Sequence, residues 1–517
     1  MWLILGLAAG GGLWHWLRPA PAPAGPAPEE LFGAPYVWRI HLQAPEAAVR
    51  ALEQEPRREV RVTVECEGRL YTNVQAHLKG ATGSFRPVGD KPSWTLKFPA
   101  PGLRGSEKIH LNNSVEDGSY LCEWLGSEVF RAGGVPAART THALVSLNGR
   151  RLGLYVVKEG YNRGWLERQG QRGVGLFYEP VQAQDITGRL EMVFGPAQEA
   201  GAGLRELAAA AGEPDLSKRW EQLGVFLDRE HFARFLAGEV LLGHRDGYGL
   251  ARNNYRLYYD TAARRAWFIP HGMDNLLGTP DFPWRPYWRG LVARAFMEIP
   301  EGSALYRASL ERWVEREFQP ERWKPRLEEQ GRRLAAVLPR AEGRAVAQAA
   351  AGLAQRLEQR HASLRRQLAE PAPAPPVFSN GVARLSGWRA VDVPEGGRME
   401  VGRAPDGRAA LMIQAGPRTA ATWRTRVWLE AGLYVFTGEV WLEGVAPLAN
   451  LRQQGAGLGV EEVPGPPHKL TGEVRGKRLE VPFTIAPPGR SVELRCELFA
   501  RQGTAWFVSE TLVLRKR

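Results

Sequence analysis

The run Glu370-Pro-Ala-Pro-Ala-Pro-Pro376 divides this chain in two. Alternating prolines cannot continue a helix and hold an extended, polyproline-like conformation, so such a run acts as a stiff spacer between separate cores. The residues on its two sides follow different periods. From about Ser303 to Leu368, apolar residues recur at helical spacing among Arg, Glu, Leu and Ala, with a break at Pro339. That pattern predicts two or three packed helices. After the run the period falls to two, as in Thr422-Trp-Arg-Thr-Arg-Val-Trp-Leu429 and Leu433-Tyr-Val-Phe-Thr437, with Glu430-Ala431-Gly432 between them as the turn of a β-hairpin. Further strand-like runs at Ala409 to Ile413, Val492 to Phe499 and Ala505 to Leu514 make residues 377–517 a β-sandwich or jelly roll.

A length of 517 residues also exceeds what one core normally holds. The expected organisation is an apolar signal or anchor segment with a Pro/Ala linker over 1–30, a catalytic-type domain over 31–370, the linker 371–376 and the sandwich 377–517. Met1 to Trp16 is nearly continuous apolar sequence. It is short for a bilayer span of ~20 residues and lacks the basic start of an export signal, so it predicts membrane association or export with the side left open.

The formal net charge of +12 comes largely from arginines interspersed with glutamates, and no nucleic-acid-binding signature accompanies it, so nucleic acid is not an expected partner. The three cysteines, Cys66, Cys122 and Cys496, are too few and too far apart for a disulfide framework or a thiolate metal site, and they read as buried free thiols.

Four segments before the first helical bundle carry candidate chemistry. His77-Leu-Lys-Gly-Ala-Thr-Gly-Ser-Phe-Arg86, followed by Asp90-Lys-Pro-Ser-Trp-Thr-Leu-Lys-Phe98, is a small-residue loop between strands. Its backbone amides can approach phosphate, and Lys91 or Lys97 can neutralise it. Next, Asp117 or Ser119 caps a helix with an apolar face of Leu121, Leu125 and Val129 that ends at Gly133-Gly134; Glu123 and Glu128 lie on it. The third segment, Ala143 to Glu159, is a hairpin turning at Asn148-Gly149, with Glu159 at its end.

The fourth is the most specific: Gly243-His-Arg-Asp246, then Asn253-Asn-Tyr-Arg-Leu-Tyr-Tyr259, then Trp267-Phe-Ile-Pro-His-Gly-Met-Asp-Asn275. Phosphoryl transfer needs a carboxylate to position the acceptor hydroxyl and oxygen ligands for Mg²⁺, which Asp246, Asn254 and Asp274 supply. The His-Arg-Asp tripeptide matches the opening of the protein-kinase catalytic loop, although Ala251 stands where that loop has its asparagine.

In this order the segments resemble the CotH (spore coat protein H) family of atypical kinases. The matching residues are Lys79-Gly80 with Ser84 and Lys91, Gly134-Val-Pro-Ala137, Asn148-Gly149 with Gly153, Tyr155 and Glu159, Asp246 with Asn254-Tyr255-Arg256-Leu257-Tyr258, and Pro270-His-Gly-Met-Asp274. The resemblance implies an α+β chain: a kinase-like domain, β-rich and then helical, followed by the all-β domain. It implies ATP with Mg²⁺ or Mn²⁺ as cofactors and transfer to Ser/Thr hydroxyls of a protein substrate of envelope or coat type.

Asp246 is then the catalytic aspartate, and Asn254 and Asp274 the metal ligands. Lys91 is the phosphate-binding lysine, with Lys97 and Lys79 behind it and Glu123 as its helix partner; Gly80, Ser84 and Glu159 complete the nucleotide site. The chain departs from the family in having His271-Gly272 before Met273-Asp274, Lys79 in place of arginine, and an altered loop, Thr82-Gly83-Ser84-Phe85-Arg86.

Two alternatives stand beside this reading. One is a non-catalytic pseudokinase of the cell envelope that binds glycan or partner proteins. The other is glycoside hydrolysis by paired carboxylates such as Asp246 and Asp274. The sandwich resembles carbohydrate-binding jelly rolls in pattern, and Trp388, Trp423, Trp428 and Trp441 serve either as core or as a platform for sugar rings.

Overall fold

A computed structural model describes residues 29–517, apart from 34, 82, 172–174, 197–200, 371–374, 449–453, 462, 464–468 and 486–488. The apolar N-terminal segment and most of the second Pro/Ala linker therefore lie outside the described residues. Among the described residues no helix is long and apolar enough to cross a membrane. The chain forms two compact units that divide between Ala369 and Glu370.

Seven strands open the first unit: β1 (Val37–Gln43), β2 (Val60–Cys66), β3 (Arg69–Lys79), β4 (Ser93–Lys97), β5 (Lys108–Asn112), β6 (Thr140–Leu147) and β7 (Arg150–Glu159). They close into a barrel in the order β1-β2-β3-β4-β5-β7-β6, with β1 and β6 parallel. Alternate side chains fill it: Val62 and Val64, Val74 to Leu78, Trp94 and Leu96, Ile109 and Leu111, Tyr155 and Val157. The period of two then turns the intervening residues to the outer face. His77, Thr95, His110 and Lys158 stand in one row across β3, β4, β5 and β7. The hairpin turn at Asn148-Gly149 has positive φ at both residues (48° and 81°), the conformation that Asn-Gly favours.

Helix α1 (Glu46–Gln54) leads into β2, and α2 (Cys122–Ala132) is inserted between β5 and β6. Asp117 caps α2 by accepting the Cys122 N–H at 2.8 Å, and the Ser119 hydroxyl accepts that of Leu121 at 3.1 Å. After α3 (Arg163–Arg168), strands β8 (Gly175–Pro180), β9 (Leu190–Phe194), β10 (Tyr255–Asp260) and β11 (Arg265–Pro270) form a second, antiparallel sheet in the order β11-β10-β8-β9. Between β9 and β10 lie α4 (Ala202–Gly212), α5 (Leu216–Phe226), α6 (Arg229–Leu241) and the single turn α7 (Tyr248–Ala251).

The expected helical bundle follows as α8 (Leu291–Met297), α9 (Pro300–Arg312), α10 (Pro320–Ala336) and α11 (Arg340–Ala369), with Pro339 at the last break. A π-helical turn at Trp313–Glu317 presses Trp313 so closely on Gly133 that any side chain there would collide with the indole. Arg360 on α11 is fully buried. Its guanidinium donates to the carbonyls of Val240 (2.7 Å), Leu241 (3.2 Å), Pro280 (2.9 Å) and Phe282, which ties the end of α6 to the loop after β11.

The second unit is all β: β12 (Val382–Arg384), β13 (Arg389–Val391), β14 (Arg398–Arg403), β15 (Ala409–Gln414), β16 (Thr419–Leu429), β17 (Gly432–Ala446), β18 (Gly455–Val460), β19 (Gly472–Ile485), β20 (Arg490–Ala500), β21 (Gln502–Val508) and β22 (Val513–Lys516). A seven-stranded sheet runs β12-β22-β17-β21-β15-β14 with β19 also on β17, and a four-stranded sheet runs β13-β16-β20-β18. This corrects one expectation. β16 and β17 are not a hairpin, because β16 pairs with β13 and β20 while β17 pairs with β19, β21 and β22. Glu430-Ala431 carries the chain from one sheet to the other, and both strands bury one face in the shared core.

Of the four tryptophans considered as sugar platforms, Trp423 belongs to that core and donates to the Met412 carbonyl, and Trp388 packs on Phe436. Trp428 and Trp441, like Trp388, stay partly exposed. All three cysteines are buried and free.

In the first unit, His142 lies buried on β6 and donates its Nε2–H to the Tyr120 carbonyl at 2.7 Å. Burial pushes its pKa down to about 4. The unfolded chain therefore holds this proton more tightly, so stability should fall as pH drops from about 6.5 to 4, by up to about 1.4 kcal/mol per pH unit. His142→Gln keeps the donor and removes the titration. Denaturant unfolding of both proteins at pH about 4.5 and about 7.5 should show a smaller acid loss in the variant.

Candidate functional site

The polar row on the outer face of the barrel places Lys158 toward α2. Its Nζ lies 2.5 Å from Glu123 Oε1, both side chains being almost fully buried (1% and 3% exposed). The other oxygen of Glu123 accepts the backbone N–H of Met273 at 3.0 Å, next to Asp274. One carboxylate thus joins barrel, helix and the Pro270–Asp274 segment. Flush packing makes this possible, because a Cβ on Gly126 of α2 would lie 2.6 Å from the Met273 sulfur and 3.0 Å from Leu276. Despite burial, Lys158 and Lys79 hold the Glu123 carboxyl below its ordinary pKa.

More cations surround this pair. Lys79 donates to Asn112 Oδ1 at 2.7 Å; burial and the charge of Lys158 bring its pKa down to about 8. Arg256 on β10 donates to Glu179 at 2.5 Å and lies 2.9 Å from His271 Nε2, while Lys158 Nζ lies 3.1 Å from His271 Nδ1. A neutral imidazole has one acceptor nitrogen, so it cannot accept from both cations. Burial and these same cations hold His271 well below its ordinary pKa. Lys108 on β5 adds to the same field, and burial with these cations keeps His110 well below its ordinary pKa. The cluster is short of negative charge.

Asp246 is exposed, at the tip of the loop between α6 and α7. Its Oδ2 accepts from the side-chain amides of Asn253 (2.9 Å) and Asn254 (2.7 Å). Asn254, held at φ 41°, then turns its amide oxygen toward Gly272, where even a Cβ would collide with it. His271 N–H donates to the Asn254 carbonyl at 3.1 Å, and His244 Nε2–H to the His271 carbonyl at 3.0 Å, so the Asp246 loop and the Asp274 segment are laced together. Burial and the neighbouring Glu123 and Glu116 raise the Asp274 pKa to about 7.

From beneath, Glu239 on α6 fastens the loop. Fully buried, it accepts the N–H groups of Tyr248 (2.7 Å) and Gly249 (2.9 Å), and it packs so tightly on Gly247 that no side chain would fit there. Burial raises its pKa to about 8.

The structure gathers Asp246, Asn254, Asp274, Glu123 and Lys79 into one site. Other expected residues fall elsewhere. Lys91 is not the partner of Glu123: its Nζ donates to Tyr120 Oη at 2.8 Å and lies over the Tyr120 and Tyr155 rings (4.9 and 5.2 Å), a cation held by aromatic faces. Lys97 forms a half-exposed ion pair with Glu59 at 2.5 Å. Glu159 leaves the opposite side of β7 from Lys158 and pairs with Arg139 (2.8 Å) and Arg168 (2.6 Å).

Gly80 and Ser84 shape the loop rather than facing Lys158. Gly80 has φ 122° and would bring a Cβ within 2.8 Å of Phe85, and the Ser84 hydroxyl accepts the Ala81 N–H at 3.2 Å. The loop does reach the site at Gly83, which lies against Glu116. Sequence reasoning gave no site role to Lys158, Arg256, His271 or Glu239. For Lys158 the signal was parity: with Val157 inside the barrel, Lys158 must face out.

For a divalent cation, Asp274 and the Asn254 amide oxygen are oxygen donors of the type Mg²⁺ takes, usually one or two from protein and the rest from phosphate and water. Among the described residues no three His, Cys, Asp or Glu side chains form a metal cage of their own. The donor set fits a metal brought in with phosphate.

A family model described as CotH kinase protein matches residues 77–361, more than half of the chain. This chain belongs to the CotH kinase family. Asp246, Asn254, Asp274, Glu123 and Lys158 all fall within the CotH match. A curated relative is Invasin CotH2 of Rhizopus delemar, 21% identical over 315 residues that span 54% of this chain and 53% of that protein. The chain thus spans about half the length of this CotH relative. Among solved structures, the TmCBM61 module in complex with β-1,4-galactotriose matches over 26% of this chain and 90% of its own, at 16% identity and a TM-score of 0.19, too low to add to the topology.

If this site takes nucleotide, Mg-ATP should give a thermal shift that Lys158→Met abolishes and Lys91→Met leaves within about twofold. Because Lys158→Met alone strands Glu123 at a cost of about 3–5 kcal/mol, Lys158→Met with Glu123→Gln serves as the folded control. It should regain stability without regaining nucleotide binding.

Proposed function

We propose that this chain is an ATP-dependent protein kinase of the CotH type, transferring phosphate to Ser/Thr hydroxyls of envelope or coat-type proteins on a kinase-like fold. The supporting observation is the Glu123 carboxylate shared between Lys158 and the Met273 N–H. That bridge couples the cation that would hold the phosphates to the segment bearing the metal ligand. A buried cation cluster short of negative charge is the counterpart of a triphosphate.

In this reading Lys158, with Lys79 and Arg256, neutralises the phosphates and fixes the nucleotide. Asn254 and Asp274 would hold Mg²⁺ or Mn²⁺, which when bound screens the charge between phosphates and acceptor. Asp246 orients the acceptor hydroxyl and takes its proton as the oxygen bonds to the γ-phosphorus and the bond to ADP breaks. Asn253 and Asn254 aim that carboxylate, and Glu239 fixes the loop that carries it. The position of Asp246 at an exposed tip suits a macromolecular acceptor.

Membrane association or export through the N-terminal segment belongs to this proposal, and so does glycan binding by the second unit. For the latter, Trp388, Trp428 and Trp441 are the candidates left partly exposed.

Purified residues 30–517 with Mg-ATP or Mn-ATP should label a protein acceptor or themselves. Asp246→Asn and Asp274→Ala should each lower the rate at least about 100-fold while unfolding as wild type does. An unlabelled wild type that also gives no nucleotide-induced thermal shift would transfer the assignment to a non-catalytic envelope protein.

A further inference from the structure

We infer that the polypeptide offered to Asp246 is acidic around its acceptor hydroxyl, and that the two loops flanking this aspartate are its docking surface; the inference rests on the kinase reading above. The loops are residues 243–254 and 275–290. They form one surface because Arg289 and Gly290 both donate to the Gly249 carbonyl (2.7 and 3.2 Å) and Leu277 N–H donates to the Leu242 carbonyl (2.9 Å).

The charge of this surface is one-sided. No glutamate occurs between Glu239 and Glu298, although the chain as a whole mixes arginine with glutamate. The two loops carry Arg245, Arg252, Arg285 and Arg289. Their carboxylates are Asp246 itself and Asp281, which is engaged by Ser363 Oγ at 2.6 Å and Arg366 at 2.8 Å. Arg245, Arg252 and Arg289 are exposed and have no ion-pair partner among the described residues.

Arg252 adds a second argument. It sits at φ 59°, a left-handed conformation that favours Gly or Asn, and it immediately precedes the two asparagines bonded to Asp246. A cation is thus kept beside the acceptor site in a backbone conformation that costs an L-residue energy.

Aromatic groups complete the surface. Tyr287 is 41% exposed, Arg285 stacks 4.7 Å from the Trp284 ring centroid, and Arg245 lies 6.0 Å from that of Phe282. Arginine with Tyr and Trp is the composition of protein-binding surfaces, and carboxylate is the partner that guanidinium takes in bidentate geometry. An acceptor with Asp or Glu beside its Ser or Thr meets all of these groups at once, and its charge steers it to the cleft.

The test uses residues 30–517 and fluorescent peptides in which Ala replaces the acceptor Ser, flanked either by Asp/Glu or by Lys/Arg, with binding read by anisotropy without nucleotide. The acidic peptide should bind at least about tenfold tighter than the basic one. Arg245→Glu with Arg289→Glu should remove that preference while the nucleotide-induced thermal shift persists. Arg252→Gly, which relieves the backbone, should weaken acidic-peptide binding without destabilising the fold. Equal binding of both peptides, or insensitivity to the charge reversals, overturns the inference. So does an oligonucleotide of matched charge that binds more tightly and responds to the same reversals, which would mark a nucleic-acid surface. An acidic peptide that binds as described but is never labelled in its Ser form leaves the docking surface standing and removes the kinase reading.

Discussion

One carboxylate, Glu123, decides how the parts of the first unit meet. It is shared between a barrel lysine and a backbone N–H of the segment before Asp274, with both side chains of the ion pair out of water. Well-packed hydrophobic residues in such a place are often more stable than an ion pair, so the pair is a costly way to hold a helix against a sheet. Its value lies in fixing a cation at a defined point. Everything around α2 serves that end: the Asp117 cap sets where the helix begins, Trp313 against Gly133 sets where it stops, and Gly126 lets it lie flush on Met273 and Leu276.

The site meets the cost of buried charge in two ways. Around Lys158 the cations outnumber the carboxylates, and His271 faces two of them while able to accept from one. Beneath Asp246 there is no such excess of charge. Among the described residues no cation lies against Glu239, which accepts two N–H groups at the start of α7 and whose pKa burial raises to about 8. The Lys158 side is thus left electrostatically incomplete, whereas the side that aims the Asp246 carboxylate is satisfied within the fold.

The sequence made the second half of the site easier to read than the first. Asp246, Asn254 and Asp274 lie on either side of the single hairpin β10–β11, so local pattern was enough to bring them together. The lysine was different, because its partner depends on the barrel inserting β7 between β5 and β6, and period-two alternation does not report strand order. Lys91 follows the glycine loop in sequence but is drawn off by two tyrosine rings, and Glu159, one residue from the lysine that matters, faces the other way. The same blindness to partner choice made β16 and β17 look like a hairpin: two amphipathic strands joined by a short turn satisfy that pattern equally well when each joins a different sheet. The helical bundle, the capped α2 and the Asn-Gly turn, all set by short-range rules, appear where the pattern put them.

Arg360 gives the architecture a direction in time. Its guanidinium closes on carbonyls at the end of α6 and in the loop after β11, yet it lies in the last helix of its unit, more than a hundred residues beyond Asp246. On the ribosome, the barrel and both carboxylate segments emerge well before the residue that clamps them. A nascent chain would therefore hold an unfastened site until α11 has left the exit tunnel.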